Sequence, residues 1–311
     1  MRNTFARVIT EVAQKDPRVV LLSGDIGNRL FDNFKEHAEE RFYNCGVAEA
    51  NMIGVGAGLG MNGFLPFAYT ITPFITTRCM EQIRLDVCYH EAPVTIVGTG
   101  AGLSYTELGP THHSLEDIAM LRLFPGMRVI APADPLEVEL AIQAVVANPG
   151  PTYIRLGKKG EPVLHEGRPD FKIGKAITLK PGKDVIILST GNIGAVSLEA
   201  GRLLEEKGVS ARVESFHTVK PLDTELLKEA FESYRLVITV EEHNRMGGLG
   251  GSIAEWRMDN PAGEGRLVRF GTDDRFLHEI GSQKWSRDIF GLTPEKITDN
   301  VIKALDPVAA G

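Results

Sequence analysis

The chain has 311 residues, 43% hydrophobic and 24% charged, with a formal net charge of −7 at pH 7. This balance fits a globular protein of about two domains, and a negative net charge with scattered Lys and Arg argues against nucleic acid as a partner. No apolar run approaches the ~20 residues that cross a bilayer, and Arg2 and Arg7 precede no apolar leader core, so we expect a cytoplasmic protein with no membrane partner.

In chain order, strand-like apolar runs fall at 18–23, 93–98, 127–132, 152–156, 184–190, 211–216 and 235–241. Helical patterns lie between them. In 134–147, Leu136, Val138, Leu140, Ala141 and Val145 are spaced for one buried face, and 194–207 ends at Gly208. This alternation predicts an α/β fold with two domains, each a mostly parallel sheet flanked by helices. Periodicity is lost where Gly, Pro and Lys accumulate after 158, which places a first domain at 1–165, a linker at 166–183 and a second domain at 184–311. Cys45, Cys79 and Cys88 form no Cys-x-x-Cys pair, which predicts small buried thiols and no metal ligands.

Between positions 42 and 77 the only formally charged side chain is Glu49. An ionised carboxylate buried without a partner is costly, so such a group takes up a proton, pairs with a cation or meets a ligand that uses it. Glu49 also stands where a helix can begin, gaining from the positive end of the helix dipole and facing solvent or a distant Arg. The following Gly54, Gly56, Gly58 and Gly60 permit close approach of another backbone or chain.

The run Gly46-Val47-Ala48-Glu49-Ala50-Asn51 resembles the Gly-[Val/Ile]-x-Glu motif in the pyrimidine-binding domain of transketolases, deoxyxylulose-phosphate synthases and the β subunits of 2-oxoacid dehydrogenase E1 components. Gly109-Pro110-Thr111-His112-His113, with Glu116-Asp117-Ile118, Leu121-Arg122, Pro125 and Ala131-Pro132-Ala133-Asp134 downstream, is similar to the transketolase run around Gly-Pro-Thr-His-Gln. Gly291-Leu292-Thr293-Pro294-Glu295-Lys296-Ile297 is similar to a motif near the transketolase C-terminus. The resemblance covers nearly the whole chain and implies a pyrimidine-binding domain followed by a transketolase C-terminal-like domain. The superfamily's Gly-Asp-Gly motif for diphosphate and metal is unmatched, because Gly24-Asp25-Ile26-Gly27 lies ahead of the pyrimidine domain's landmarks. The resemblance therefore implies a separate N-terminal subunit carrying most of the contacts to thiamine diphosphate and Mg²⁺ (or Ca²⁺), in a self-associating α2β2 heterotetramer. The implied reaction moves a two-carbon ketol unit from a ketose, phosphorylated or otherwise anionic, to an aldose.

By the same resemblance, Glu49 is the catalytic carboxylate that hydrogen-bonds the pyrimidine ring, a proton relay through the cofactor. His112 contacts substrate oxygens, with His113 beside it. Phe74, and after it Tyr69, pack on the pyrimidine, and Asp25 lies near the cofactor. Arg2, Lys158 and Arg29 are the cations for substrate anions. Leu108 replaces an acid that recognises a substrate hydroxyl, a change worth about 1.5 to 3 kcal/mol in typical systems, and Gly100 replaces a phosphate-contacting His, so an altered sugar is expected.

Other motifs carry less. Gly58-Leu59-Gly60-Met61-Asn62-Gly63 matches a dinucleotide fingerprint without the strand that should precede it. Gly247-Gly248-Leu249-Gly250-Gly251-Ser252 lacks a Walker Lys and reads as a loop before a packed helix. Glu241-Glu242-His243-Asn244 reads as loop acids at a subunit interface. Alternatives to the transferase are a β subunit of a 2-oxoacid dehydrogenase E1 component and a catalytically silent binding subunit.

Overall fold

The computed structural model describes residues 1–27 and 29–305, so the last six residues of the expected second domain lie outside it. The strands are β1 (Val19–Ser23), β2 (Phe42–Asn44), β3 (Leu65–Ile71), β4 (Thr95–Thr99), β5 (Arg128–Ile130), β6 (Thr152–Leu156), β7 (Ile177–Lys180), β8 (Val185–Thr190), β9 (Ala211–Ser215), β10 (Thr218–Lys220), β11 (Leu236–Asn244) and β12 (Arg266–Thr272). They form one sheet in the order β10-β5-β6-β4-β3-β1-β2 and a second in the order β12-β11-β8-β9-β7. Every pairing is parallel except those of β10 with β5 and β7 with β9. The expected fold class holds. No helix among the described residues is long and apolar enough to cross a membrane.

Parallel strands covered on both faces need continuous apolar runs, and β1, β4, β6 and β8 are buried at every position. The helix Pro135–Ala147 begins where its sequence says it should: Asp134 caps it by accepting from the Glu137 N–H at 2.7 Å, and Pro135 takes the first helical position.

Five strands, β2, β3, β7, β10 and β12, are absent from the sequence reading, and three of them bear on the architecture. β3 lies between β1 and β4, although Pro66 argues against an interior strand because it has no N–H to donate. β7 occupies part of the expected linker 166–183, so the second domain starts earlier than the expected 184. The second sheet already begins at Ile177, and a short edge strand with a Lys gives no periodic signal. The expected linker is also packed, with Phe171 stacked on His217 at 4.0 Å. The three-residue β10 comes from the second half of the chain yet pairs with β5 of the first sheet, and its Lys220 donates to the Arg122 and Phe124 carbonyls.

The two halves also meet through a hydrogen bond made by a buried ion pair of the first half. Arg155 on β6 donates to Asp117 Oδ2 at 2.7 Å, and both side chains are inaccessible to solvent. The same guanidinium donates to the Ser114 carbonyl and to the Glu242 carbonyl on β11, while the Tyr153 hydroxyl donates to Asp117. Burial alone would raise the Asp117 carboxyl, but Arg155 overrides it and holds the group below the usual carboxylate range. Its ionised form therefore stabilises the fold above the ordinary carboxylate pKa, and that contribution is lost as the pH falls through the depressed value. We predict that Asp117→Ala lowers unfolding free energy by about 3 to 5 kcal/mol, as expected when one partner of a buried pair is removed. Denaturant titration should show this loss at neutral pH, shrinking as the solution is acidified.

Candidate active site

The carboxyl ends of parallel strands are where side chains from several elements converge, and most of the expected site residues gather there. Asp25 follows β1, Glu49 follows β2, Phe74 follows β3, His112 lies in the loop after β4, and Lys158 follows β6.

Glu49 opens the helix Glu49–Met61 and is 2% exposed. Glu49 does begin a helix, and of the alternatives open to a buried carboxylate it takes a cation as its partner. Arg78 Nη1 donates to Glu49 Oε2 at 2.7 Å. Gly24, at the exit of β1, closes on the same place, where an added Cβ would stand 3.0 Å from the Thr70 side chain and 3.5 Å from Glu49 Cγ. A side chain there would press into the space beside the carboxylate.

From Glu49 a continuous row of side chains runs across the strand ends. The Arg78 guanidinium lies 4.7 Å from the centre of the Phe74 ring, a cation over an aromatic face. Phe74 meets His112 edge-on at 5.2 Å, and His112 meets Tyr105 at 6.2 Å. The Lys158 ammonium lies 4.7 Å over Tyr105 and pairs with Glu107. His112 Nδ1 is 2.9 Å from the Thr111 hydroxyl, and partial burial holds its imidazole below the ordinary histidine pKa. The sequence reading did not single out Arg78 or Tyr105. Arg78 sits among short polar residues without a pattern, and Tyr105 enters the row only through the fold of its loop.

The remaining candidates take other positions. Tyr69, expected to pack on a pyrimidine, is corrected to a core residue: it is fully buried, stacked on Phe5 at 5.3 Å and edge-on to Phe31 at 5.1 Å. His113 is buried, its Nε2 has no hydrogen-bond partner, and burial lowers its pKa. It lines a cleft of about 590 Å³ with Phe74, Arg78, Glu116, Phe276 and Leu277. Asp25 adopts a left-handed φ of 56° and accepts from Asn44 Nδ2 at 2.9 Å, an unusual backbone state for a residue other than glycine. Arg29 is exposed. Arg2 opens the helix Arg2–Lys15, and its buried Nε has no hydrogen-bond partner. Leu108 is half-exposed.

Glu241, Glu242 and His243, whose sequence reads as loop acids at a subunit interface, are instead buried residues of β11. Burial pushes the Glu241 carboxyl up to about 7, although it accepts the Leu249 and Gly250 N–H groups at the start of the helix Leu249–Asp259. Burial also takes His243 down to about 4. Glu242 accepts the Leu103 N–H at 3.0 Å and the Arg287 guanidinium, bracing the loop after β4 from the second half of the chain. The Gly-rich run at 247–252 leads into a packed helix as expected, and Gly58 to Gly60 lie within the helix Glu49–Met61.

Comparison with known proteins matches residues 1–161 to the transketolase pyrimidine-binding domain and residues 174–297 to the transketolase C-terminal domain. The chain is 37% identical over 262 residues to one subunit of the apulose-4-phosphate transketolase of Phocaeicola vulgatus, covering 84% of each chain. It is also 37% identical over 299 residues to a 6-deoxy-6-sulfo-D-fructose transketolase subunit of a Clostridium species, covering 96% of this chain and 92% of the relative. Among solved structures it is similar to a split-gene transketolase described as an inactive β4 tetramer, with a TM-score of 0.87, 35% identity, and coverage of 98% of this chain and 97% of the other.

Removing Arg78 leaves Glu49 buried without its cation. We predict that Arg78→Ala lowers stability by about 1 to 3 kcal/mol, the typical penalty of an unsatisfied buried acceptor, and that adding Glu49→Gln recovers most of the loss. Chemical unfolding of the chain alone reads both effects, and identical curves for Arg78→Ala and wild type would contradict the pairing.

Proposed function

The chain belongs to the transketolase family, and on that premise we propose that it is the C-terminal subunit of a split ketol transferase that works with a separate N-terminal subunit. The observation that carries this reading is the seat formed by Glu49 and Phe74. A buried carboxylate and an aromatic face together hold a planar nitrogen donor, the Arg78 guanidinium. An aminopyrimidine offers the same combination of a flat face and ring-edge nitrogen, so the residues present fit that end of thiamine diphosphate. When bound, this cofactor supplies a nucleophilic carbon and an electron sink for breaking the bond beside a ketose carbonyl.

The chain's own residues have distinct tasks in this proposal. Glu49 exchanges its guanidinium partner for the pyrimidine ring nitrogen and holds a proton there. Phe74 fixes the plane of that ring, and the buried surroundings keep the exchange away from water. His112, neutral near pH 7, can donate to or accept from the hydroxyl and carbonyl oxygens of a sugar. His113 backs it from the neighbouring cleft, and Asp25 stands at the exit of β1 toward the cofactor. Arg2, Arg29 and Lys158 are the cations for an anionic sugar, a chemistry in keeping with the phosphate and sulfonate sugars in the relatives' names.

We further propose that the N-terminal partner supplies the diphosphate and Mg²⁺ contacts and that two copies of each subunit assemble. The helix that starts at Glu49 supports a covering partner, because its outer side exposes Val55 and Met61, with Val47 75% exposed just ahead of it. Apolar exposure concentrated beside a site is a common mark of an interface. The description of the similar solved tetramer as inactive agrees with a chain that needs another polypeptide.

Calorimetry of thiamine diphosphate with Mg²⁺ tests the proposal, first on the chain alone and then on the chain purified with its N-terminal partner. We expect tight binding only in the pair and a loss of ketol transfer of about 10²- to 10⁴-fold in Glu49→Gln, the usual range for a displaced proton-transfer group. Absence of binding in both preparations would leave a non-catalytic subunit as the better account. We also predict that the acid limb of the kcat/KM profile assigned to His112 lies below the ordinary imidazole pKa of about 6.5, since the group is lowered by burial. In His112→Gln that limb should disappear.

A further inference from the structure

We propose that Tyr105 is a specificity-determining residue: its ring sets the length of anionic sugar the site accepts, and it can occupy its place only because residue 100 has no side chain. The proposal rests on the functional reading above for the class of ligand, a sugar with a terminal phosphate or sulfonate.

Gly100 leaves β4 with a φ of +84°, and a Cβ built on it would stand 2.0 Å from Tyr105 Cε2 and 2.2 Å from Cδ2. Those separations are far inside van der Waals contact, so the ring and any side chain at 100 exclude each other. Tyr105 is held from its own loop, where its carbonyl accepts the Leu108 N–H at 2.9 Å, and it is 8% exposed. Its ring centre lies 6.2 Å from that of His112, and the ring also carries the Lys158 ammonium at 4.7 Å.

A cation on an aromatic face is oriented and partly stripped of water without being neutralised. The carboxylate paired with Lys158 belongs to Glu107, whose side chain is 46% exposed. A sugar phosphate or sulfonate can replace that carboxylate while the ammonium stays on the ring. The Tyr105 ring, which contacts both groups, then sets the spacing between His112, at the reacting end, and Lys158, at the anionic end. Sugars that span this gap are held at both ends, and shorter or longer ones at only one.

The test uses the assembly with its N-terminal partner and compares glyceraldehyde 3-phosphate with ribose 5-phosphate, by calorimetric binding and as acceptors in turnover. Tyr105→Ala should change the ratio of the two binding constants by about tenfold or more, the scale on which pocket shape discriminates ligands. Tyr105→Phe should keep the wild-type ratio. Gly100→Ala should shift the ratio by displacing the ring, and added to Tyr105→Ala it should shift the ratio less, because only the strain of its left-handed backbone then remains. If Tyr105→Ala does not fold, Tyr105→Leu takes its place, removing the flat face while keeping apolar bulk. An unchanged ratio in a folded variant overturns the proposal, as does failure of the wild-type assembly to bind either sugar. Binding without turnover in the wild type overturns the ketol-transfer reading instead, and the binding ratios still decide the role of Tyr105.

Discussion

Arg155 faces Asp117 where burial alone would favour the uncharged acid, and the guanidinium keeps that carboxylate ionised. Their pairing is local, but their remaining hydrogen bonds are not. Through the Ser114 and Glu242 carbonyls, Arg155 ties β6 to the segment just after the histidines and to β11 of the second sheet. Glu242 reaches from the same strand to the Leu103 N–H at the other end of the same loop. The loop bearing Tyr105 and His112 is thus fastened at both ends to groups that solvent does not reach. A buried ion pair is a doubtful source of net stability compared with apolar packing, but it fixes geometry because misplacing either partner is penalised.

The row from Glu49 to Lys158 carries charged groups at its two ends and rings between them, and this decides where water and ligands can compete. Glu49 is buried and paired with Arg78, so its charge is available to a ligand only if that cation leaves. At the other end Lys158 is partly open and its partner Glu107 more so, which makes exchange easy there. One chain of contacts therefore joins a sheltered end suited to proton handling with a wet end suited to anion capture, and His112 lies between them.

Much of this was legible in the sequence for physical reasons. Glu49 stood out because a lone charge in an apolar stretch demands an explanation, and the strands β1, β4, β6 and β8 stood out because interior parallel strands need unbroken apolar runs. Tyr69 shows where such reading fails. Successive strand residues point to opposite faces, so once β3 is known, Thr70 turns toward Gly24 and Glu49 while Tyr69 turns into the core with Phe5 and Phe31. Pro66 hid that strand and with it the alternation. Gly100 was legible only as the absence of a histidine, since nothing along the chain says that Tyr105 comes back to fill the space. Arg78 was out of reach for the same reason: twenty-nine positions separate it from Glu49, and a return turn, not a pattern, brings them together.

The strand β10 gives the molecule a property that its order of domains conceals. It lies in the second half of the sequence but forms the outer edge of the first sheet, beyond the stretch where composition suggests a joint. Recombination between related chains at that joint would put a strand from one ancestor against a sheet from the other. A working chimera must therefore inherit β5 and β10 as a matched set, and the inheritable module of this protein is a surface of mutual fit, not a continuous length of sequence.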